Sequence, residues 1–134
     1  MIYVVTLMFC SIMLSHGSRS NDLSICFVLG TSGSANNQLS YPEGVSLDPT
    51  TGTLYVVDTN NHRVMQYLRN ATSGRVVAGG NGAGTSNTQL RSPRGIYYDV
   101  LSNSLLIANV NAHNIVRSVV NASSWTLVAG NPIG

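Results

Sequence analysis

Residues 38–79 read QLSYPEGVSLDPTTGTLYVVDTNNHRVMQYLRNATSGRVVAG, and residues 89–130 read QLRSPRGIYYDVLSNSLLIANVNAHNIVRSVVNASSWTLVAG. Laid over each other at a constant offset of 51, with no gap, the two segments are identical at 14 of 42 positions. The identities include Gln38/Gln89, Leu39/Leu90, Pro42/Pro93, Gly44/Gly95, Asp48/Asp99, Leu54/Leu105, Asn60/Asn111, His62/His113 and Asn70/Asn121. They end on Val77-Ala78-Gly79 against Val128-Ala129-Gly130. A fixed internal period of this length marks a repeat architecture, in which each unit buries its apolar face on its neighbour. Upstream, Val28-Leu29-Gly30 followed by Gln38-Leu39 echoes Val77-Ala78-Gly79 followed by Gln89-Leu90. The tail of an earlier unit is therefore expected there.

Each unit reads as four short strands. Gly44–Asp48 alternates, with Val45 and Leu47 toward one face. Pro42 just ahead suits a strand start, where the missing N–H costs little. Thr53–Val57 is β-branched and aromatic, the composition that fits a pleated surface. Between these two lies Asp48-Pro49-Thr50-Thr51-Gly52, and Gly52 becomes Asn103 in the second unit. Glycine and asparagine are the residues that tolerate a left-handed backbone, so a turn is kept by conformational demand. A third strand is expected at about Arg63–Leu68 and a fourth at about Arg75–Ala78, with Gly79–Gly84 a flexible connection onward. Four antiparallel strands per roughly 50 residues is the pattern of a propeller blade. The fold class expected is all-β: a partial β-propeller of four-stranded antiparallel blades with a period of 51 residues.

The run P-x-G-V-x-x-D followed by L-Y-V-V-D-T-N-N-H-R-V-M resembles the NHL repeat, whose name comes from an Asn-His-Leu signature. Asn61-His62 holds the Asn-His pair and Arg63 replaces the Leu; in the second unit Ala112-His113-Asn114 keeps only the His. The resemblance covers residues 25–130 and implies blades of a six-bladed type of propeller. The chain is expected to divide into a signal peptide at 1–17, read below from its composition, then the end of a partial blade with its linker at 18–37, blade 1 with its linker at 38–88, and blade 2 at 89–134. A closed propeller uses about 4–8 blades, so that its ends meet. Two blades cannot close a ring, and three readings compete: a fragment of a longer propeller, self-association to complete one, or an unstable relic. The fragment is the expectation adopted.

Composition narrows the function classes. The charged share is 9%, against roughly a quarter in ordinary domains. Yet 43% of residues are hydrophobic, which excludes a charged disordered tail. The net charge is only +2 and rests on seven Arg with no Lys, so nucleic acid is not an expected partner. Met1–Leu14 is apolar at twelve of fourteen positions and uncharged in its side chains. It is shorter than the ~20 residues of a membrane span and fits the core of a secretory signal peptide, with Ser15 and Gly17 as the small residues before a cleavage site. No basic side chain precedes it; the alternative is a buried strand of an upstream repeat. The localisation expected is extracellular. Cleavage would leave Cys26, within ICFVL, without Cys10 as a partner, and such a cysteine reads as a small buried hydrophobe.

Strand order places the candidate site. In an up-and-down blade the second-to-third turn and the connection between blades emerge at one end, and the other two turns at the opposite end. Asn60, Asn61, His62, Arg63, Arg91, Arg94, Asn111 and His113 are therefore expected on one face, the candidate surface for an unknown protein or polar ligand. Because Asn60 and His62 recur, their reading as turn stabilisers through side-chain-to-backbone hydrogen bonds is preferred, as it is for Asp58 beside them. Arg91 and Arg94, opposite Ser40 and Glu43, are not demanded by the repeat and are the better contact candidates. Asn70-Ala71-Thr72 and Asn121-Ala122-Ser123 are N-glycosylation acceptors in the third-to-fourth turns, on the opposite face.

Enzyme chemistry finds little support. Gly80, Gly82 and Gly84 lack the third glycine of a dinucleotide loop, and no P-loop Lys follows. Asp58-Thr59-Asn60 begins like a calcium loop without its later Gly and Glu. Asp48 and Asp99 read as turn acceptors without an acid–base partner. No catalytic residue, metal ligand or cofactor is assigned. The resemblance brings in one enzyme class, the peptidyl-hydroxyglycine amidating lyase built on such blades with metal ions, and a remnant of it is the alternative to a non-catalytic protein-interaction scaffold.

Overall fold

A computed structural model describes residues 31–131. The leader, Cys10, Cys26 and the Val28–Gly30 strand tail lie outside the described residues. Eight strands form two separate antiparallel sheets, each in plain up-and-down order. Blade 1 holds β1 (Pro42–Leu47), β2 (Leu54–Asp58), β3 (Arg63–Tyr67) and β4 (Arg75–Gly79). Blade 2 holds β5 (Pro93–Asp99), β6 (Ser104–Asn109), β7 (Asn114–Val119) and β8 (Thr126–Gly130). The expected strands are present to within two residues. The main difference is that β1 starts on Pro42 itself, which pairs with Asp58 across a bulge before Gly44. Blade 2 repeats this with Pro93 opposite Asn109.

The turns are set by the residues foreseen for them. Gly52 has φ 73° and its successor Asn103 φ 46°, so both take the left-handed conformation that ends the first hairpin. Asp48 fastens that hairpin: its carboxylate accepts the Thr50 N–H at 2.9 Å and the Thr51 hydroxyl at 2.5 Å. Asp99 does the same with Leu101 N–H and the Ser102 hydroxyl.

The core lies chiefly between the blades. Tyr55, Val57, Val64, Val77 and Ala78 of blade 1 meet Leu90, Leu105, Ile107, Val116, Val120 and Trp125, with Ile96 and Tyr98 packed alongside. Tyr55 stacks on Tyr98 with ring centroids 4.8 Å apart, an aromatic contact worth about 0.5–1.5 kcal/mol beyond its buried area. The Trp125 ring is closed in at the end of this layer, where its indole N–H donates to the Gln89 carbonyl at 2.7 Å. Polar seams flank the apolar contact. The Tyr98 N–H donates to the Ser46 hydroxyl oxygen at 2.9 Å, and the buried Thr59 hydroxyl donates to the Pro93 carbonyl at 2.8 Å. At Gly44 the blades approach so closely that a Cβ would overlap the Arg94 carbonyl oxygen, so only glycine fits. The far side of blade 1 carries a second buried cluster of Leu39, Leu54, Val56, Met65 and Tyr67.

Candidate interaction face

The connection before each blade and its second-to-third turn are built as one unit, and the backbone hydrogen bonds of the unit recur in both blades. Gly33 N–H donates to Leu39 O as Gly84 N–H does to Leu90 O. Gly74 N–H donates to Asn36 O, matching Trp125 N–H to Asn87 O. Asn60 N–H reaches Ser40 O, and Asn111 N–H reaches Arg91 O. Both turns are single 3-10 turns, Thr59–Asn61 and Val110–Ala112, closed by His62 and His113 in the left-handed region. The histidine recurs at a backbone conformation that most side chains disfavour.

Blade 1 ties this unit with a charge. Asp58, fully buried, accepts Ser40 N–H at 2.7 Å on one oxygen, and Asn61 Nδ2–H at 2.8 Å and Arg63 Nε–H at 2.7 Å on the other. The rest of the Arg63 guanidinium donates to the carbonyls of Ser34, Ala35 and Gln38 at 2.8–3.1 Å, and Asn61 also reaches Gly33 O. Expected on the outer face, Arg63 is instead 6% exposed. Its long side chain turns inward because the connection presents a cluster of carbonyls, those of Ser34, Ala35 and Gln38, that the guanidinium fork satisfies together. In blade 2 the pair becomes Asn109 and Asn114. Asn109 Oδ1 keeps the bond from Arg91 N–H at 2.6 Å. Asn109 Nδ2 and Asn114 Oδ1 are buried without a partner. Sequence reasoning missed this node, although an Asp and an Arg five residues apart across a tight turn were a readable signal.

The other foreseen residues do share the turn face, in two groups. Asn61 and His62 are half-buried. The His62 ring accepts Ser92 N–H on Nδ1 at 3.1 Å, so this histidine joins blade 1 to the connection into blade 2. Asn60, Arg91, Arg94, Asn111 and His113 are exposed. Arg94 pairs with Glu43 at 3.1 Å across the two first strands. Asn111 Nδ2 donates to the Ser92 hydroxyl at 3.0 Å. The face is thus a polar surface on a rigid base, carrying the exposed Arg91 and a half-neutralised Arg94, the usual place for binding residues.

The opposite end carries the acidic turns and both sequons. The Thr51 hydroxyl, helped by backbone N–H groups and opposed by burial, holds the Asp48 carboxyl below its ordinary 3.8. Ser102 does so for Asp99, with Leu101 N–H and Arg117 adding to it. Burial pushes Tyr98 up, and Tyr67 up to about 12. Asn70 and Asn121 are exposed in left-handed turns. Asn121 accepts Arg75 Nη2–H on Oδ1 at 2.7 Å. Among the described residues no three His, Cys, Asp or Glu side chains come together as a metal site, and no helix is long and apolar enough to cross a membrane.

Residues 39–67 match the NHL repeat family. The fold is similar to one chain of a solved nidogen/laminin complex, at 26% identity and a TM-score of 0.54, over 69% of this chain and 33% of that one. It is also similar to a gluconolactonase from Xanthomonas campestris, at 18% identity and a TM-score of 0.54, over 72% of this chain and 28% of that one. The match thus spans about a third or less of either chain. No curated protein matches the chain in sequence.

Proposed function

Taking as premise that the chain carries NHL repeats folded as two blades of a propeller, we propose that it is a non-catalytic scaffold that binds another protein through its turn face. One observation carries the reading. The one carboxylate–guanidinium pair at that turn, Asp58 and Arg63, is consumed in holding the backbone, while Asn60, Arg91, Arg94, Asn111 and His113 are left outward on a rigid base. Such a surface recognises polar and acidic groups rather than transforming them. The structural likeness to a chain of a nidogen/laminin complex supports a protein as the partner.

The apolar stretch at residues 1–17 supports reading the protein as secreted. Asn70 and Asn121 are then accessible acceptors whose glycans would shield the far end and leave the turn face as the open one. Unchanged mass on N-glycosidase treatment of protein secreted from eukaryotic cells would remove the glycan part of this reading.

The test is saturable binding of the purified full chain to a panel of immobilised extracellular proteins that includes laminin. The Arg91→Ala/Arg94→Ala variant should lose that binding while its melting temperature stays put. Absence of saturable binding across the panel would overturn the proposal. So would turnover of a sugar lactone or of a peptidyl-hydroxyglycine by the purified chain.

A further inference from the structure

Asn81 clasps the connection out of blade 1. Its Nδ2–H donates to the Thr88 carbonyl at 3.0 Å, and its own carbonyl accepts Gln89 Nε2–H at 3.0 Å. Together these bonds draw residues 82–87 into a closed loop, which Gly84 N–H to Leu90 O and Gln89 N–H to Ser86 O fasten further. The connection into blade 1 is clasped without an asparagine: there Gln38 Nε2–H reaches the Thr31 hydroxyl oxygen at 3.0 Å. The repeat therefore demands the glutamine and does not demand Asn81.

Of the fourteen asparagines in the chain, Asn81 is the one followed by glycine. An asparagine carboxamide can be attacked by the backbone nitrogen of the next residue, and a Cβ on that residue crowds the approach; glycine has none. Asn81 and Gly82 are both exposed, and no described atom lies within 4 Å of where a Cβ at residue 82 would be, so water and base reach the site. The Gly82 N–H enters no hydrogen bond among the described residues. The clasp thus engages the leaving nitrogen and the peptide oxygen, and spares the attacking nitrogen. Asn103-Ser104 is the contrast, since its second residue is also small. Ser104 is fully buried and paired in β6 with both β5 and β7, while Asn103 Oδ1 accepts the Tyr98 hydroxyl at 3.0 Å.

We propose that Asn81 is a site of spontaneous deamidation, which turns the clasp of the interblade connection into a carboxylate. Base takes the Gly82 amide proton and the nitrogen attacks Asn81 Cγ. The Cγ–Nδ2 bond breaks, and Nδ2 takes up a proton and leaves as ammonia, giving a cyclic imide. Water then cleaves the imide on one side of the Gly82 nitrogen. Cleavage at Cγ gives aspartate; cleavage at the main-chain carbonyl gives isoaspartate, with the backbone running on through Cγ. The net change is one water taken up and one ammonia lost, with no oxidation or reduction. A carboxylate only accepts hydrogen bonds, so neither product can donate to the Thr88 carbonyl, and the +2 net charge falls by one. The loop is unclasped by its own chemistry as the protein ages. The proposal rests on this loop and not on the turn-face reading.

The experiment ages the purified full chain in mildly alkaline buffer, folded and in urea, and follows each asparagine by peptide mass spectrometry together with enzymatic methylation of isoaspartyl carboxyl groups. In the folded chain Asn81 should gain the mass of amide-to-acid conversion while Asn103 keeps its amide; in urea Asn103 should convert as well. Asn81→Gln, and separately Gly82→Ala, should lose the isoaspartyl signal of the folded chain. The aged form, separated by its added negative charge, should exchange the amides of residues 82–88 faster, with those of β5–β8 unchanged. An Asn81 that keeps its amide in the folded chain while converting in urea would overturn the proposal. So would earlier conversion of Asn103 in the folded chain, or unaltered exchange at residues 82–88 in the aged form. Binding to the laminin panel enters none of these readouts, so the two proposals fail separately.

Discussion

Replacing Arg63 by Asn copies into blade 1 the residue that blade 2 carries at Asn114. The change removes four hydrogen bonds: one to Asp58 and three to the carbonyls of Ser34, Ala35 and Gln38. It also leaves the Asp58 carboxylate fully buried with only Ser40 N–H and Asn61 Nδ2–H. Breaking a buried pair by deleting one member costs about 3–5 kcal/mol, because the remaining charge is uncompensated. Adding Asp58→Asn removes that charge and recreates the Asn109/Asn114 arrangement. The double variant should therefore be more stable than Arg63→Asn alone, and the coupling energy of the cycle should be about 2 kcal/mol. Urea unfolding followed by the fluorescence of Trp125, the single tryptophan, reads all four corners of the cycle. A cost below about 1 kcal/mol for Arg63→Asn, or additivity of the two changes, would refute the reasoning, since either would mean that the pair is solvent-screened.

Three further outcomes follow from the geometry. Gly44→Ala should destabilise by about 2–3 kcal/mol, as overpacking in a close interface does, and the urea midpoint checks it. Trp125→Phe keeps the ring layer but leaves the Gln89 carbonyl without its donor; a loss of about 1 kcal/mol is expected in the same assay followed by circular dichroism. Asp48 has a folded pKa below its unfolded value, so its contribution is present above about 3.8 and is lost as pH falls through the lowered folded value. Carboxyl-carbon NMR titration should show the Asp48 pKa rising in Thr51→Val, and an unchanged titration would contradict the assignment to that hydroxyl.

The fold was legible in the sequence because the demands of a blade recur at a fixed interval. The Gly52/Asn103 exchange marked a left-handed turn, and strand alternation around Val45 and Leu47 marked a face. The partition of the turn face was less legible. Arg63 looked like a solvent residue because nothing in its neighbours shows that residues 34–38 present carbonyls to it from 25 or more positions away. The reason Gly44 must be glycine was equally hidden, since the atom it avoids belongs to Arg94 in the next blade. Local pattern specifies strands and turns; contacts between a connection and a distant turn are decided by how the units stack.

Two blades lie face to face at a 51-residue register. Nuclear Overhauser contacts on the full chain test this most directly. Contacts between the Tyr55 and Tyr98 rings, and between the Tyr98 amide and the Ser46 side chain, are predicted together with separate strand ladders for residues 42–79 and 93–130. Cross-strand amide contacts joining β4 to β5 in one continuous sheet, with Tyr55 and Tyr98 remote from each other, would contradict it.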